Sequence, residues 1–301
     1  MTLKISVGMD PEFMASYKGK HIYPLIADSK HLVSGKAKRL ALSNALGKIN
    51  YDEFGHCVEI RPTQATTSKQ LILNIISTMM DLPGDFKYTT DNSVLMDRTD
   101  FNAILRKLDS KDLSKSQNIY GVDILDDTQP ELDARANKQR LLYCGCHMHL
   151  SATDVVGVPV PDHGTHNVET RVTLPIKTLV RLFDTLLFDP LAKDHDFCVG
   201  KYRQKGFYEH KFHGGIEYRS LGASAFTPKR IALIADIMIA TTKWIMNSDI
   251  QDNLLSRGVD NAGSSIDIIA SLGKEVKEMV AELARTKSIT GDIRKAWVPF
   301  S

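Results

Sequence analysis

The sequence is poor in the features that mark several classes of protein. It has only four cysteines in 301 residues, which favours reduced thiols in a cytoplasm over a disulfide framework. Neither charge dominates, because 38 Lys and Arg residues balance 36 Asp and Glu residues, so nucleic-acid binding over the whole surface is not expected. No segment approaches the roughly 20 apolar residues of a membrane-spanning helix. The N-terminal stretch has one lysine and then turns acidic, so we expect no signal peptide and a cytoplasmic protein.

Familiar nucleotide and hydrolase motifs are missing as well. The sequence contains no Gly-x-Ser-x-Gly, which marks a serine nucleophile elbow, and no Gly-x-x-x-x-Gly-Lys-Ser/Thr phosphate loop. It also has no internal repeat of the length typical of solenoids. The absence of these motifs argues against a serine nucleophile elbow, a phosphate loop and a solenoid, so candidate functional residues must be identified from other patterns in the chain.

Hydrophobic periodicity predicts strands and helices in mixed order. Strands are expected at Leu3–Met14, His56–Arg61 and Arg140–Ser151, and within residues 207–225, with a turn region at Gly157–His166. Helices are expected from Thr67 or Ser68 to Leu82, from about Leu174 to Leu187, from Thr227 to about Met246, and from about Ser265 to Thr286. This order predicts an α+β fold with a largely antiparallel sheet, formed by one domain over residues 1–301. Residues 84–140 read as a loop-rich insertion or a lid.

Four of the predicted strands carry charged side chains on one face and apolar side chains on the other. The polar faces hold Asp10 and Glu12, then Glu59 and Arg61, then His147 and His149, and finally Glu217 and Arg219. Any one of these pairs is typical of the solvent-exposed side of a strand. If the strands are neighbours, however, carboxylates and imidazoles converge on one surface, where they suit Mg²⁺ or Mn²⁺. Arginines beside such a cluster suit phosphate or carboxylate, so the pattern is typical of phosphoryl transfer.

The string Cys144-Gly-Cys-His-Met-His149 also resembles a zinc motif. Alternation along a strand places the two cysteines on the face opposite His147 and His149, so one tetrahedral ion could not bind all four. A loop conformation would restore the zinc alternative.

The motifs, taken in chain order, resemble those of a known superfamily. They are D-P-E, E-I-R, C-H-M-H-L-S, R-x-K-G-x-Y and G-I-E-Y-R-S, and they span Val7 to about Ala225. This order resembles the glutamine synthetase / glutamate–cysteine ligase superfamily, and within it the phage-type carboxylate–amine (COOH–NH2) ligases of type 2, the amidoligases. The resemblance implies a curved antiparallel sheet, flanked by helices, whose concave polar face binds ATP with Mg²⁺ or Mn²⁺.

The resemblance also implies a reaction and roles for particular residues. A carboxylate substrate would be activated by ATP as an acyl phosphate, and an amine would then form the amide; both substrates would be small molecules or peptides. The implied metal ligands are Asp10, Glu12, Glu59, His147 and Glu217. The implied nucleotide-binding residues are His149, Lys205 and Arg203, and the implied catalytic arginines are Arg203, Arg219 and Arg61.

Two other functions remain open for the same residues. A metal-dependent phosphotransferase of the same fold, of the guanidino-kinase kind, would stop at the phosphorylated product. A non-catalytic metal-binding structural protein would keep the sheet without turnover. Neither nucleic acid nor membrane is expected as a partner.

Overall fold

The computed structural model describes most of the chain, and everything below concerns the residues it describes. These are residues 2–17, 20–21, 43–44, 47–51, 57–82, 84, 86–99, 129–160, 164–192, 205–211, 214–247 and 272–297.

Twelve strands occur within these ranges. They are β1 (Thr2–Tyr17), β2 (Lys20–His21), β3 (Ser43–Asn44), β4 (Gly47–Tyr51), β5 (Val58–Pro62), β6 (Lys87–Thr89), β7 (Ser93–Asp97), β8 (Gln139–Tyr143), β9 (Cys146–Val160), β10 (Gly164–Arg171), β11 (Tyr208–His210) and β12 (Ile216–Tyr218).

The helices of the described residues lie between and after these strands. They are α1 (Ser68–Met80), α2 (Gln129–Ala136), α3 (Ile176–Phe183), α4 (Asp189–Leu191), α5 (Pro228–Ile245), α6 (Lys274–Leu283) and α7 (Arg294–Trp297). A π-helical turn, Asp184–Phe188, joins α3 to α4, and a 3-10 turn, Ala223–Ala225, precedes α5.

Most of the strands form one antiparallel sheet. Its central order is β11-β12-β9-β1-β5-β4-β3, with β10 paired to β9 and with β2 and β6 paired to β1. β7 and β8 form a separate two-stranded sheet. The fold is therefore α+β with a mainly antiparallel open sheet, as the order of predicted elements indicated.

The apolar side chains of the central strands form the core against the helices. Val7, Met9 and Phe13 of β1 and Met148 of β9 are buried in one cluster with residues of α1, α3 and α5. Phe13 stacks on Phe226 with ring centroids 5.8 Å apart. The helices therefore cover the apolar face of the strands, and the charged residues of the same strands point away from that core.

Two predicted helices begin as their capping residues indicated. The Thr67 side chain accepts a hydrogen bond from the Gln70 N–H at the start of α1. Thr227 does the same for the Arg230 N–H, with Pro228 in the first turn of α5. Among the described helices, none combines the length and apolar character that crossing a membrane requires.

Other predicted boundaries were wrong. The turn expected at Gly157–His166 is largely strand, because β9 continues to Val160 and β10 begins at Gly164. The last predicted helix, from about Ser265 to Thr286, is observed from Lys274 to Leu283, with the non-helical Gly273 before it, and the predicted start at Ser265 lies outside the described residues. Within residues 84–140, β6, β7, α2 and the first two residues of β8 are regular elements, whereas residues 100–128 lie outside the described part.

Candidate functional site

The four polar strand segments are consecutive neighbours in the sheet. β12 pairs with β9, β9 pairs with β1, and β1 pairs with β5. The register sets Asp10 opposite His147, Glu12 opposite Glu59, and Glu217 opposite His149. The sheet thus brings together charged residues that the sequence separates by more than 200 positions.

Much of this cluster is removed from water. The side chains of Glu12, Glu59, His147 and Glu217 are between 4% and 8% exposed. A buried charge is costly unless hydrogen bonds or opposite charges compensate it, so the contacts of each group determine its ionisation.

The first half of the cluster, here called the β1–β5 end, consists of Asp10, Glu12, Glu59 and Arg61. Arg61 donates to both carboxylate oxygens of Glu59, at 2.9 and 3.2 Å, and its Nε lies 3.8 Å from an oxygen of Asp10. Burial, together with the charges of Asp10 and Glu12, nevertheless raises the pKa of Glu59 well above its usual value. This end thus brings three carboxylates together with one arginine, an arrangement that favours a bound cation.

His149 carries positive charge more readily than an ordinary histidine. Its Nε2 lies 2.9 Å from Asp10 Oδ2. Burial opposes the charged imidazole, but the hydrogen bond to Asp10 and the charges of Asp10 and Glu217 outweigh it, so the pKa of His149 is raised. A protonated imidazole donates hydrogen bonds and binds no metal, so His149 suits an anionic ligand such as phosphate.

His147 lies between carboxylates of two different strands. Its Nδ1 is 2.9 Å from Glu217 Oε1, and its Nε2 is 3.8 Å from Glu12 Oε1. Glu12 is fixed from the other side, because the Gly145 N–H donates to Glu12 Oε2 at 2.7 Å. His147 therefore links the β1–β5 end to the opposite end of the cluster.

The opposite half, here called the β12 end, consists of Glu209, Lys211, Glu217 and Arg219. Glu209 and Glu217 are directly opposite each other on β11 and β12. Lys211 pairs with both of them, and Arg219 lies 3.1 Å from Glu209 and 3.4 Å from Glu217. Burial opposes the charged carboxylate of Glu217, but His147 and Arg219 outweigh it and lower its pKa well below the usual value.

Two predicted nucleotide-binding residues lie outside this cluster or outside the described chain. The Lys205 ammonium donates to both oxygens of Asp189, at 2.7 and 2.8 Å, and both side chains are about half exposed. Lys205 therefore contacts the helical turn α4 in this structure. Arg203 lies outside the described residues, so its predicted role stays a prediction.

Sequence reasoning missed three residues that the structure connects to the cluster. Glu209 and Lys211 belong to the β12 end, and their alternation with Tyr208 and His210, within the predicted strand region 207–225, was a signal that could have found both. Asp184 lies beneath β12, where its Oδ1 accepts hydrogen bonds from the Tyr218 hydroxyl at 2.7 Å and the Gly206 N–H at 2.9 Å. These hydrogen bonds fix the position of Tyr218, the residue that follows Glu217 in β12.

The zinc alternative finds no support in the described cysteines. Cys146 is buried in the main core, and Cys144 packs with Cys57, Met14 and Ala223 in a small hydrophobic cluster. The cysteines thus lie apart from the carboxylates that contact His147, as strand alternation predicted.

The five predicted metal ligands have suitable chemistry, but three of them, Asp10, Glu59 and Glu217, are paired with lysine or arginine side chains of the chain itself. Oxygen-rich carboxylates with one imidazole are donors that Mg²⁺ and Mn²⁺ accept. Within the described ranges, however, no group of three or more His, Cys, Asp or Glu side chains is arranged so that it could hold a metal ion. The ion pairs of Glu59 with Arg61 and of Glu217 with Lys211 occupy carboxylate oxygens that a metal would need.

Comparison with known proteins adds no family to this geometry: no protein-family model and no curated protein matches the chain.

Proposed function

We propose that this protein is an ATP-dependent carboxylate–amine ligase with a glutamine synthetase-like catalytic fold. The observation that carries the proposal is the adjacency of β12, β9, β1 and β5, which gathers Glu217, His147, Glu12 and Glu59 into one buried cluster. The sheet would be curved, with this cluster on its concave face. The order of the motifs along the chain agrees with that arrangement.

The reaction would proceed in two displacements. A carboxylate oxygen of the acid attacks the γ-phosphorus of ATP, which releases ADP and leaves an acyl phosphate. The amine nitrogen then attacks the carbonyl carbon, phosphate leaves, and the nitrogen loses a proton to form the amide. The protein's main contribution is to hold the two substrates in position and to stabilise developing charge.

The residues of the cluster divide this work by their chemistry. Arg61 and Arg219 suit bidentate contact with the transferred phosphoryl group or the substrate carboxylate. His149, whose raised pKa favours a donor on both ring nitrogens, suits the nucleotide phosphates. Lys205 and Arg203 would approach the nucleotide from the segment before β11.

A divalent cation would complete the site. Mg²⁺ or Mn²⁺ would be held by Asp10, Glu12, Glu59, His147 and Glu217, and when bound it would neutralise phosphate oxygens and polarise the γ-phosphoryl group. The grouping of Asp10, Glu12 and Glu59 with a single arginine at the β1–β5 end supports this requirement.

The ligase reaction can be tested without knowing the natural amine. Protein, ATP and Mg²⁺ or Mn²⁺ are incubated with panels of carboxylic acids, with and without hydroxylamine, and both ADP and hydroxamate are measured. We expect ADP release that requires a carboxylate, and hydroxamate formation when hydroxylamine is added.

A matched variant separates this site from a contaminating activity. Glu169→Gln removes an exposed strand glutamate that pairs with Lys4, and it should behave like the wild type, whereas His147→Gln should lose hydroxamate formation. A stable phosphorylated acceptor with no hydroxamate would favour the phosphotransferase instead. Equal activity of His147→Gln and wild type would refute the assignment of the site.

A further inference from the structure

Lys211 is held in place by the turn that joins β11 to β12. Its backbone N–H donates to the Gly215 carbonyl, and its carbonyl accepts from the Gly214 N–H, each at 3.0 Å. Gly214 has a φ of +76°, a left-handed conformation that glycine adopts without strain. The turn therefore fixes the backbone of Lys211 beside the end of the cluster.

The ammonium of Lys211 lies between two carboxylates of the same strand pair. It pairs with Glu217 Oε2 and lies 3.3 Å from Glu209 Oε2, and the lysine side chain is 24% exposed. Glu209 and Glu217 face each other directly across β11 and β12, an arrangement of like charges that destabilises a sheet unless a cation separates them. Lys211 supplies such a cation.

Both oxygens of Glu217 are engaged by cations of the chain itself. Lys211 contacts Oε2, while His147 Nδ1 lies 2.9 Å and Arg219 lies 3.4 Å from Oε1. The β1–β5 end differs in its balance of groups: it brings three carboxylates, those of Asp10, Glu12 and Glu59, together with one arginine, Arg61. The two ends of the cluster are therefore unequal in their need for an added cation.

We infer that Lys211 is a built-in counter-ion of Glu217 which competes with divalent metal for that carboxylate. In the absence of metal the ammonium neutralises Glu217, and a metal ion gains this carboxylate only by displacing Lys211. The β1–β5 end then receives the first divalent ion. This inference rests on the proposed function in one respect, that the cluster binds Mg²⁺ or Mn²⁺.

The test is a Mn²⁺ titration without nucleotide, in which free Mn²⁺ is followed by its electron paramagnetic resonance signal. Lys211→Met should bind Mn²⁺ about tenfold more tightly than wild type, as expected when a charge-assisted contact no longer competes. Lys211→Arg, which keeps the charge, should remain close to wild type. Lys4→Met removes an exposed strand lysine that pairs with Glu169, and it should also match wild type.

Thermal unfolding gives a second readout and guards against a variant that folds poorly. Lys211→Met should melt at a lower temperature than wild type without metal, because Glu209 and Glu217 then repel each other, and Mn²⁺ should raise its melting temperature more than that of wild type. If Lys211→Met does not fold, Lys211→Gln serves as the neutral variant.

The outcomes separate this inference from the proposed function. Mn²⁺ binding by wild type with equal or weaker binding by the neutral variants overturns the role of Lys211 and leaves the ligase proposal standing. Failure of every variant, including wild type, to bind Mn²⁺ at millimolar concentration overturns both.

Discussion

Replacing Glu217 with glutamine is expected to lower ATP-dependent hydroxamate formation by about 10²- to 10³-fold, the range found when one charge-stabilising group is removed from an active site. Glutamine keeps the shape of the side chain but carries no charge, so Lys211, Arg219 and His147 lose a shared anion. Initial rates at saturating ATP measure the loss of turnover.

The same substitution should also destabilise the fold. Removing one partner from a buried charge network leaves the others uncompensated, which costs about 3 kcal/mol. Urea unfolding of wild type and Glu217→Gln measures this cost, with Glu169→Gln as the exposed strand control. A variant with wild-type turnover would show that Glu217 is structural, and one with wild-type stability would show that its ion pairs are weak.

Replacing Asp184 with asparagine is expected to make the protein more stable at neutral pH. Burial raises the pKa of Asp184 to about 6 from 3.8, although its hydrogen bonds with Tyr218 and Gly206 act in the opposite direction. Because the folded-state pKa lies above the unfolded one, stability from this group is fully present below pH 3.8 and is lost as pH rises through about 6. Asparagine stays neutral, and its Oδ1 can accept both hydrogen bonds.

The expected difference between wild type and Asp184→Asn therefore depends on pH. By about pH 7.5 the variant should be more stable by up to about 3 kcal/mol, and near pH 4 the two proteins should be alike. Urea unfolding of both proteins at several pH values measures this difference in stability. Groups other than residue 184 titrate in both proteins, so their contributions cancel in the difference. A difference that does not change with pH would contradict the raised pKa of Asp184.

Strand alternation explains why most of the candidate site could be predicted. A period of two fixes which residues share a face, so Asp10 and Glu12 could be separated from Met9 and Phe13 by counting alone. Which strands are neighbours depends on pairing across distant segments, and alternation says nothing about it. The resemblance to amidoligases implied that these strands are neighbours, and in the structure β1 pairs with both β9 and β5.

Lys211 and Asp184 escaped prediction for different physical reasons. Lys211 lies one residue beyond the end of β11, and the position of its backbone depends on the turn at Gly214. Asp184 begins the π-helical turn after α3, and that turn shifts the angular positions expected for a regular helix. An acidic residue there reads as solvent-exposed, whereas the structure buries it beneath Tyr218.

Strand β9 is longer than predicted, and the strands that pair with it explain why. Gly157 and Pro159 are typical of a turn, and proline has no N–H to donate to a neighbouring strand. β1 pairs with β9 only as far as Val155, so, among the described strands, β10 is the one paired with β9 at Pro159. A proline is tolerated at a position where its missing N–H is not needed for strand pairing. The sequence does not show which strands pair, so it could not identify Pro159 as such a position.

The central claim is that the β1–β5 end and the β12 end form one metal–nucleotide site. Equilibrium binding of Mn²⁺–ATP to wild type, Glu59→Gln and Glu217→Gln tests it directly, because these two glutamates belong to strands at opposite ends of the cluster. We predict that wild type binds Mn²⁺–ATP and that each variant loses most of this affinity. Undiminished binding by both variants would contradict the account.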